Sequence, residues 1–271
     1  MAPNRHMLVY AHTGHEEALR AASMVCDQLY SSGLVPAVPP AQAESFAEHV
    51  SGKLSLLGTD VPSDEIELTI VLGGDGTILG AAELMRGSEA PLLGINHGHV
   101  GFLAERDKDD LSAAVAAAVD RDYEVDERLA LDVSVWKAKE LIYRGFALNE
   151  AALEKASRAR MVELVLEVDG RPISAYGADG VVMATPTGST AYSFSAGGPI
   201  VWPAVEALLM VPLSPHALFS RPLVVSPNSV MAVELLDRTT SSAILWCDGR
   251  RSVEINPGAR VEVTKSDSSI S

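Results

Sequence analysis

Residues 68–87 read LTIVLGGDGTILGAAELMRG: an apolar run, a glycine-rich loop carrying one acid, and a second apolar stretch that ends on glycine. Leu68–Leu72 lacks the polar/apolar alternation of a half-exposed strand, the pattern of a strand buried on both faces of a sheet. Thr77–Arg86 has helical character and stops at Gly87. Strand, glycine turn and helix in this order belong to a parallel α/β sheet, and such a loop lies at the carboxyl end of a strand, where open α/β sheets bind ligands.

The flanking sequence continues the pattern. Leu8–Tyr10 reads as a strand, followed by Ala18, Ala22, Val25 and Leu29 at helical spacing and by Gly33 as a stop. Downstream, Pro91–Asn96 reads as another buried strand and the Ala/Val-rich Leu111–Val119 as a helix. Residues 1–124 are therefore expected to form an α/β domain with a parallel sheet covered on both faces. From about residue 124 the period changes. Leu129, Leu131, Val133 and Val135 alternate with other residues, as do Val162, Leu164, Leu166 and Val168, and then Met231, Val233 and Leu235. Asp169-Gly170 and Asp248-Gly249 are hairpin turn signals, the second joining Ala243–Cys247 to Ser252–Ile255. Residues 125–271 are expected to be mainly antiparallel β, with room for a helix around Val201–Met210 and a polar, frayed tail at Lys265–Ser271.

Composition narrows the function. The 271 residues are 47% hydrophobic and 21% charged, ordinary for a globular chain, with a net charge of −15. Such a charge disfavours nucleic acid and anionic membrane as partners, since both call for clustered Lys and Arg. A phosphate-bearing ligand must then be held by backbone amides, a metal ion or a few placed cations. The two cysteines, Cys26 and Cys247, form no disulfide framework and no metal spacing, and no signal-like or membrane-length apolar run appears. The expected setting is the reducing cytoplasm, with Cys26 in the core.

In the loop Gly73-Gly74-Asp75-Gly76-Thr77 the glycines permit sharp bending and close approach of a ligand, and amides at the helix start can face phosphate. It is neither a GxGxxG nor a Walker A motif. Asp75 is the one side chain there able to do acid–base or metal work; the alternative is a helix cap in a tight turn. The second motif, GADGVVMATPTGSTAYSFSAGGP at 177–199, places Thr185, Thr187, Ser189, Thr190, Tyr192, Ser193 and Ser195 after an apolar strand. So many hydroxyls between apolar brackets suit a concave surface around a polar ligand, with Tyr192 available to stack on a ring. Asn149-Glu150 ends the strand-like Phe146–Leu148 and is either a solvated turn or a grip for a ribose diol or carboxamide. His97 and His99, with no third ligand nearby in sequence, fit a loop beside the site better than a metal centre.

Four stretches together resemble NAD kinases: GGDGT at 73–77, GINxGxxGFL at 94–103, Asn149-Glu150, and DGxxxATPTGSTAYSxSAGGPI at 179–200. The GGDGT theme is shared with lipid kinases and phosphofructokinases, whereas the TPTGSTAY tract is much more specific. The resemblance implies an N-terminal α/β domain and a C-terminal β-sandwich whose last residues return to the first domain. It also implies a homodimer or homotetramer with sites shared between subunits, a divalent cation such as Mg²⁺, and ATP or polyphosphate as phosphoryl donor to NAD. Carried over by position, Asp75 matches the catalytic acid, Gly76 lies beside it against NAD, and Asn149 and Glu150 match the substrate-holding pair. Arg160 falls where members carry a basic residue or His near a phosphate. Asp179, Thr187, Thr190, Ala191, Tyr192, Ser193, Phe194 and Ser195 match residues lining the dinucleotide site. Gly80 and Gly177 stand where many or some members have Arg, which bears on donor identity and affinity. The implied reaction is phosphorylation of the 2′-hydroxyl of the adenosine ribose, with Asp75 accepting its proton or polarising it through bound Mg²⁺. A lipid kinase would instead need an apolar groove, and a non-catalytic NAD sensor would have no use for Asp75.

Overall fold

The structure is a computed structural model and describes residues 5–50, 52–96, 106–107 and 111–271. The chain divides into two compact units, residues 1–127 with 270–271, and residues 128–269.

The first unit runs β1 (His6–Ala11), α1 (Glu16–Ser31), β2 (Val35–Val38), α2 (Ala43–Ala47) and β3 (Ser55–Leu56). It continues with β4 (Ile66–Leu72), α3 (Asp75–Leu84), β5 (Leu92–Asn96), β6 (Arg106–Asp107) and α4 (Leu111–Asp120). The strands form one sheet in the order β3-β2-β1-β4-β5-β6, parallel at every pairing. Strand order reverses between β1 and β4, so the loop after β4 opens at the switch point of the sheet. Both faces are covered, as the unbroken apolar strands require. Met7, Val9, Ile70 and Leu72 pack with Val25 and Leu29 of α1 and Val115 of α4. Val71 on the opposite face packs with Ile78 and Ala81 of α3.

The second unit comprises β7 (Leu131–Lys137), β8 (Glu140–Ala147), β9 (Glu150–Lys155), β10 (Val162–Val168), β11 (Arg171–Ala178) and β12 (Gly180–Ala184). There follow α5 (Tyr192–Ser195), β13 (Leu208–Leu213), β14 (Leu223–Val225), β15 (Met231–Leu235), β16 (Ala243–Cys247), β17 (Arg251–Ile255) and β18 (Ala259–Lys265). They make two antiparallel sheets, β11-β10-β15-β18-β7-β8 and β14-β13-β12-β9-β16-β17. The inner faces share one core: Val133, Leu164, Val233 and Val261 from the first sheet with Leu153, Met183 and Leu245 from the second. β10 keeps the predicted alternation of buried and half-exposed residues, while every residue of β12 is buried. The extra cover on β12 comes from the segment after it, where Val201 and Ala207 join Ala152, Val182, Ala184 and Leu209. The fold is the α/β-plus-β-sandwich architecture expected from the sequence.

Two local expectations are corrected. No helix forms over Val201–Met210: a turn closes from the Val205 amide to the Trp202 carbonyl at 2.8 Å, and Leu208 begins β13. Pro203 follows Trp202, and the run Leu208–Val211 is buried on both faces between β12 and β14, an environment in which periodicity does not separate helix from strand. The tail is tied down rather than frayed: Ser266 N donates to Ala130 O at 2.8 Å, and Ser271 O accepts from Leu92 N at 2.9 Å. His97, His99 and the remainder of the 97–103 motif lie outside the described residues.

One close approach in the second unit is stringent. A Cβ at Gly188 would stand 2.0 Å from the Asn149 carbonyl oxygen, whereas one at Gly177 would meet only the Met161 side chain, at 3.5 Å. Gly188→Ala is expected to destabilise the protein by at least ~1–3 kcal/mol, and Gly177→Ala to stay within about ±0.5 kcal/mol. Urea unfolding of both variants measures this; an equal cost would contradict the contact.

Candidate functional site

In the first unit β4 ends at Leu72, whose carbonyl accepts from His12 N at 3.0 Å, and Gly73 N donates to Ile95 O at 3.1 Å. These bonds tie the loop to the strands on either side. Gly73 has φ +152°, and a Cβ there would lie 2.4 Å from Thr77 Oγ1, so the turn admits only glycine. Gly74, not Asp75, is the N-cap of α3, and the Thr77 and Ile78 amides fold back on its carbonyl at 2.8 and 3.2 Å. Asp75 is thus the first helical residue, half-buried, while Gly76 is exposed and Thr77 buried. Read as a cap, Asp75 would have been accounted for structurally; the capping position belongs instead to its neighbour.

In the second unit Leu148-Asn149 form a bend between β8 and β9, and Glu150 opens β9. The pair is not a solvated turn: Asn149 and Glu150 are each 7% exposed. Their backbone is held from both sides. The Asp248 carboxylate accepts the amides of Leu148 (2.9 Å), Asn149 (2.7 Å) and Glu150 (3.3 Å). Thr185 Oγ1 donates to Leu148 O at 2.6 Å, and the Thr185 amide donates to Asn149 O at 2.9 Å. By contrast, Asn149 Oδ1, Glu150 Oε2 and the Ser193 hydroxyl are buried with no hydrogen-bond partner in the protein. Buried polar atoms are normally satisfied, so two orphans on the adjacent residues Asn149 and Glu150 mark a candidate ligand-binding pair. Burial, then the Asp248 charge, push the Glu150 carboxyl up to about 7, against a weaker opposing bond from the Tyr192 amide.

The hydroxyl tract is less available than its sequence implies. Thr185 is bound to the bend, and Ser189 Oγ exchanges bonds with the amide and carbonyl of Val201, at 3.0 and 3.1 Å, closing the loop. Thr187 is buried, and Thr190 Oγ1 turns back to the Thr187 carbonyl at 3.3 Å. Ala191 is half-buried, and Tyr192, Phe194 and Ser195 on α5 are exposed. The Tyr192 hydroxyl donates to Glu154 at 2.5 Å, and burial with that bond raises its proton affinity.

Not all predicted residues come together. Asp179 pairs with Lys155 at 2.6 Å, next to Gly180, which lies opposite Glu154. This is the far end of β9, four residues or ~13 Å from Glu150 at the usual strand rise. Arg160, in the connection leaving that end, is exposed and donates to Thr240 Oγ1 at 3.0 Å. Tyr192 spans the interval, its amide toward Glu150 and its hydroxyl on Glu154. Asp248, Thr185 as a clamp, Glu154 and Lys155 were not singled out in the sequence. The Asp248-Gly249 pair reads only as a turn, and both its φ angles, +53° and +62°, do suit one.

A family model described as the ATP-NAD kinase N-terminal domain matches residues 7–123, and one described as the ATP-NAD kinase C-terminal domain matches residues 148–271. The NAD kinase of Leifsonia xyli is 57% identical over 268 residues, covering 98% of this chain and 88% of that one. The chain belongs to the NAD kinase family. As a member of that family it is a phosphotransferase. NAD kinase 2 of Streptomyces coelicolor is 52% identical over 269 residues, covering 98% and 88% of the two chains. Among solved structures, yeast NADH kinase complexed with NADH superposes with a TM-score of 0.86 at 26% identity, over 100% of this chain and 83% of that one. An NAD kinase from Archaeoglobus fulgidus in complex with ATP gives 0.71 at 27%, over 98% and 92%. Among the described residues no helix is long and apolar enough to cross a membrane.

The state of Glu150 makes this family member's stability depend on pH. A carboxyl whose folded value is raised from 4.5 to about 7 contributes stability that is fully present below the lower value and lost as pH rises through the upper one. The loss amounts to up to ~3 kcal/mol. Ligand-free Glu150→Gln is therefore expected to match the parent near about pH 5 and to melt higher near about pH 8. A difference in melting temperature that does not grow with pH would contradict the buried, proton-retaining environment.

Proposed function

We propose that this chain transfers the terminal phosphoryl group of ATP or polyphosphate to the 2′-hydroxyl of the adenosine ribose of NAD, giving NADP. The observation that carries the reading is the set of unpartnered, buried oxygens at Asn149 and Glu150. A carboxylate and an amide side by side accept hydrogen bonds from the hydroxyls of a ribose and donate one in return. Tyr192 and Phe194, exposed on α5, offer rings to a base or nicotinamide, and Asp179 supplies a further polar contact.

The acceptor hydroxyl is a very weak acid. Asp75 takes its proton as the ribose oxygen bonds to the terminal phosphorus and the bond from that phosphorus to the bridging oxygen breaks, releasing ADP or shortened polyphosphate. The transition state is loose, so positioning and charge neutralisation contribute most and the base ~10²–10⁴-fold. The start of α3, at Gly74–Gly76, turns the positive end of the helix dipole toward the donor phosphates, while the Thr77 amide is used within the turn on Gly74 O. Among the described residues no cluster of three or more His, Cys, Asp or Glu groups is arranged to hold a metal. Mg²⁺ commonly takes one or two carboxylates plus substrate phosphates; held by Asp75 and the donor's phosphates, it would neutralise phosphate charge that a chain of net −15 cannot. The setting we propose is the cytoplasm.

NADP formation from NAD with ATP, and then with polyphosphate, tests the reading; no product with either donor would overturn it. Within it, Asp75→Asn is expected to lower kcat by about 10²-fold or more with NAD affinity kept within about tenfold. Asn149→Ala should instead act on the KM for NAD, by roughly 1–3 kcal/mol. Near-normal turnover in the first variant removes Asp75 from the role of base.

We further propose a homodimer or homotetramer with shared sites. Trp202, Leu218 and Phe219 are 74%, 95% and 94% exposed in the second unit, apolar surface that association would cover. Light scattering at assay concentration should give a multiple of the chain mass, and a fully active monomer would refute the shared site.

A further inference from the structure

Two buried carboxylates meet at the start of β9, and only Glu150 has a role so far. Asp248, also 7% exposed, lies in the turn between β16 and β17. Besides the amides of Leu148, Asn149 and Glu150, its Oδ2 accepts from Arg251 Nη2 at 3.1 Å. Arg251 in turn donates to Phe146 O at 2.8 Å and lies over the Phe146 ring, 4.8 Å from its centroid. We propose that Asp248 is a positioning residue of the reaction, fixing the backbone from Leu148 to Glu150 so that Asn149 and Glu150 are presented together to the dinucleotide.

The hairpin that carries Asp248 does not need its charge. It is closed by Arg250 N on Cys247 O at 3.1 Å and by ladder pairs from Ala243↔Ile255 to Cys247↔Arg251. The turn conformation, with φ +53° at Asp248, suits asparagine as well as aspartate. The Leu148–Glu150 bend does need it. Three successive buried amides call for acceptors, and a carboxylate has lone pairs enough for all of them, which an amide side chain has not. Burial pushes the Asp248 carboxyl above its ordinary value, and the three amides and the Arg251 guanidinium oppose that shift by favouring the charged form. Asn149 Oδ1 and Glu150 Oε2 have no protein partner, so apart from the Tyr192 amide on the Glu150 carboxyl it is the backbone beneath them that places these side chains. Thr185 holds the carbonyl side of the same bend, leaving the amide side to Asp248.

This inference rests on the reading that Asn149 and Glu150 hold NAD. It is tested on the full chain with Asp248→Asn, isosteric and compatible with the turn. The variant is expected to melt cooperatively, to raise the KM for NAD by about tenfold or more, and to leave the KM for ATP within about threefold. Combined with Asn149→Ala it should add less than it costs alone, because both changes disable one grip. The groups acting on Glu150 are the Asp248 charge and the Tyr192 amide, with Arg251 bound to Asp248. Removing that negative charge should therefore move the acid limb of kcat/KM for NAD to lower pH, which a role confined to the hairpin would not do. If Asp248→Asn does not fold, Asp248→Glu decides: it keeps the charge, displaces the oxygens by one methylene, and should also raise the KM for NAD. A folded variant with the parent's KM for NAD and pH profile overturns the proposal while NADP formation by the parent keeps the NAD reading intact. A parent that makes no NADP removes the reading itself.

Discussion

The bend at Leu148–Glu150 is the constraint from which the second unit's polar region follows. Its amides converge on Asp248 and its carbonyls on Thr185. The sheet order explains how two side chains distant in sequence reach it: β12 and β16 flank β9, and each strand ends beside the bend, β12 just before Thr185 and β16 just before Asp248. Gly188 then lies directly against the Asn149 carbonyl, so the tract closes over a backbone already fixed. Such over-determination lets Asn149 and Glu150 keep unpartnered oxygens, an arrangement that opposes folding and is usual where a ligand completes the bonding.

Charge follows from the same arrangement. In this region Lys155 is paired with Asp179 and Arg251 with Asp248, while the one charge acting strongly on Glu150 is negative. A ligand presenting hydroxyls suits this corner better than one presenting phosphate. In the first unit the N-cap of α3 is Gly74, which brings no side chain of its own to the helix start.

Much of this architecture is local and therefore legible. The apolar run before GGDGT, the alternation in Val162–Val168 and the two Asp-Gly turns each encode their structure within a few residues, and each forms as expected. The candidate residues Asn149, Glu150 and Tyr192 were legible as types. Which of their atoms stay unpaired was not, because that depends on burial by segments far along the chain. Asp248 escaped notice for the same reason: its three amide partners are 98 to 100 residues away. Thr185 and Ser189 looked like ligand hydroxyls but close backbone instead, a distinction composition does not carry. The Val201–Met210 segment failed differently, since an apolar run buried on both faces has no period to read.

The bond from Leu92 to Ser271 makes the first unit discontinuous in sequence. During synthesis its sheet can be started from residues 6–96, but the Leu92 amide has to wait until residues 128–269 have been made. At ~5–20 residues per second that interval is roughly ten to thirty seconds. Of the two units, the one whose strands are made earlier is thus completed by residues made after those of the other.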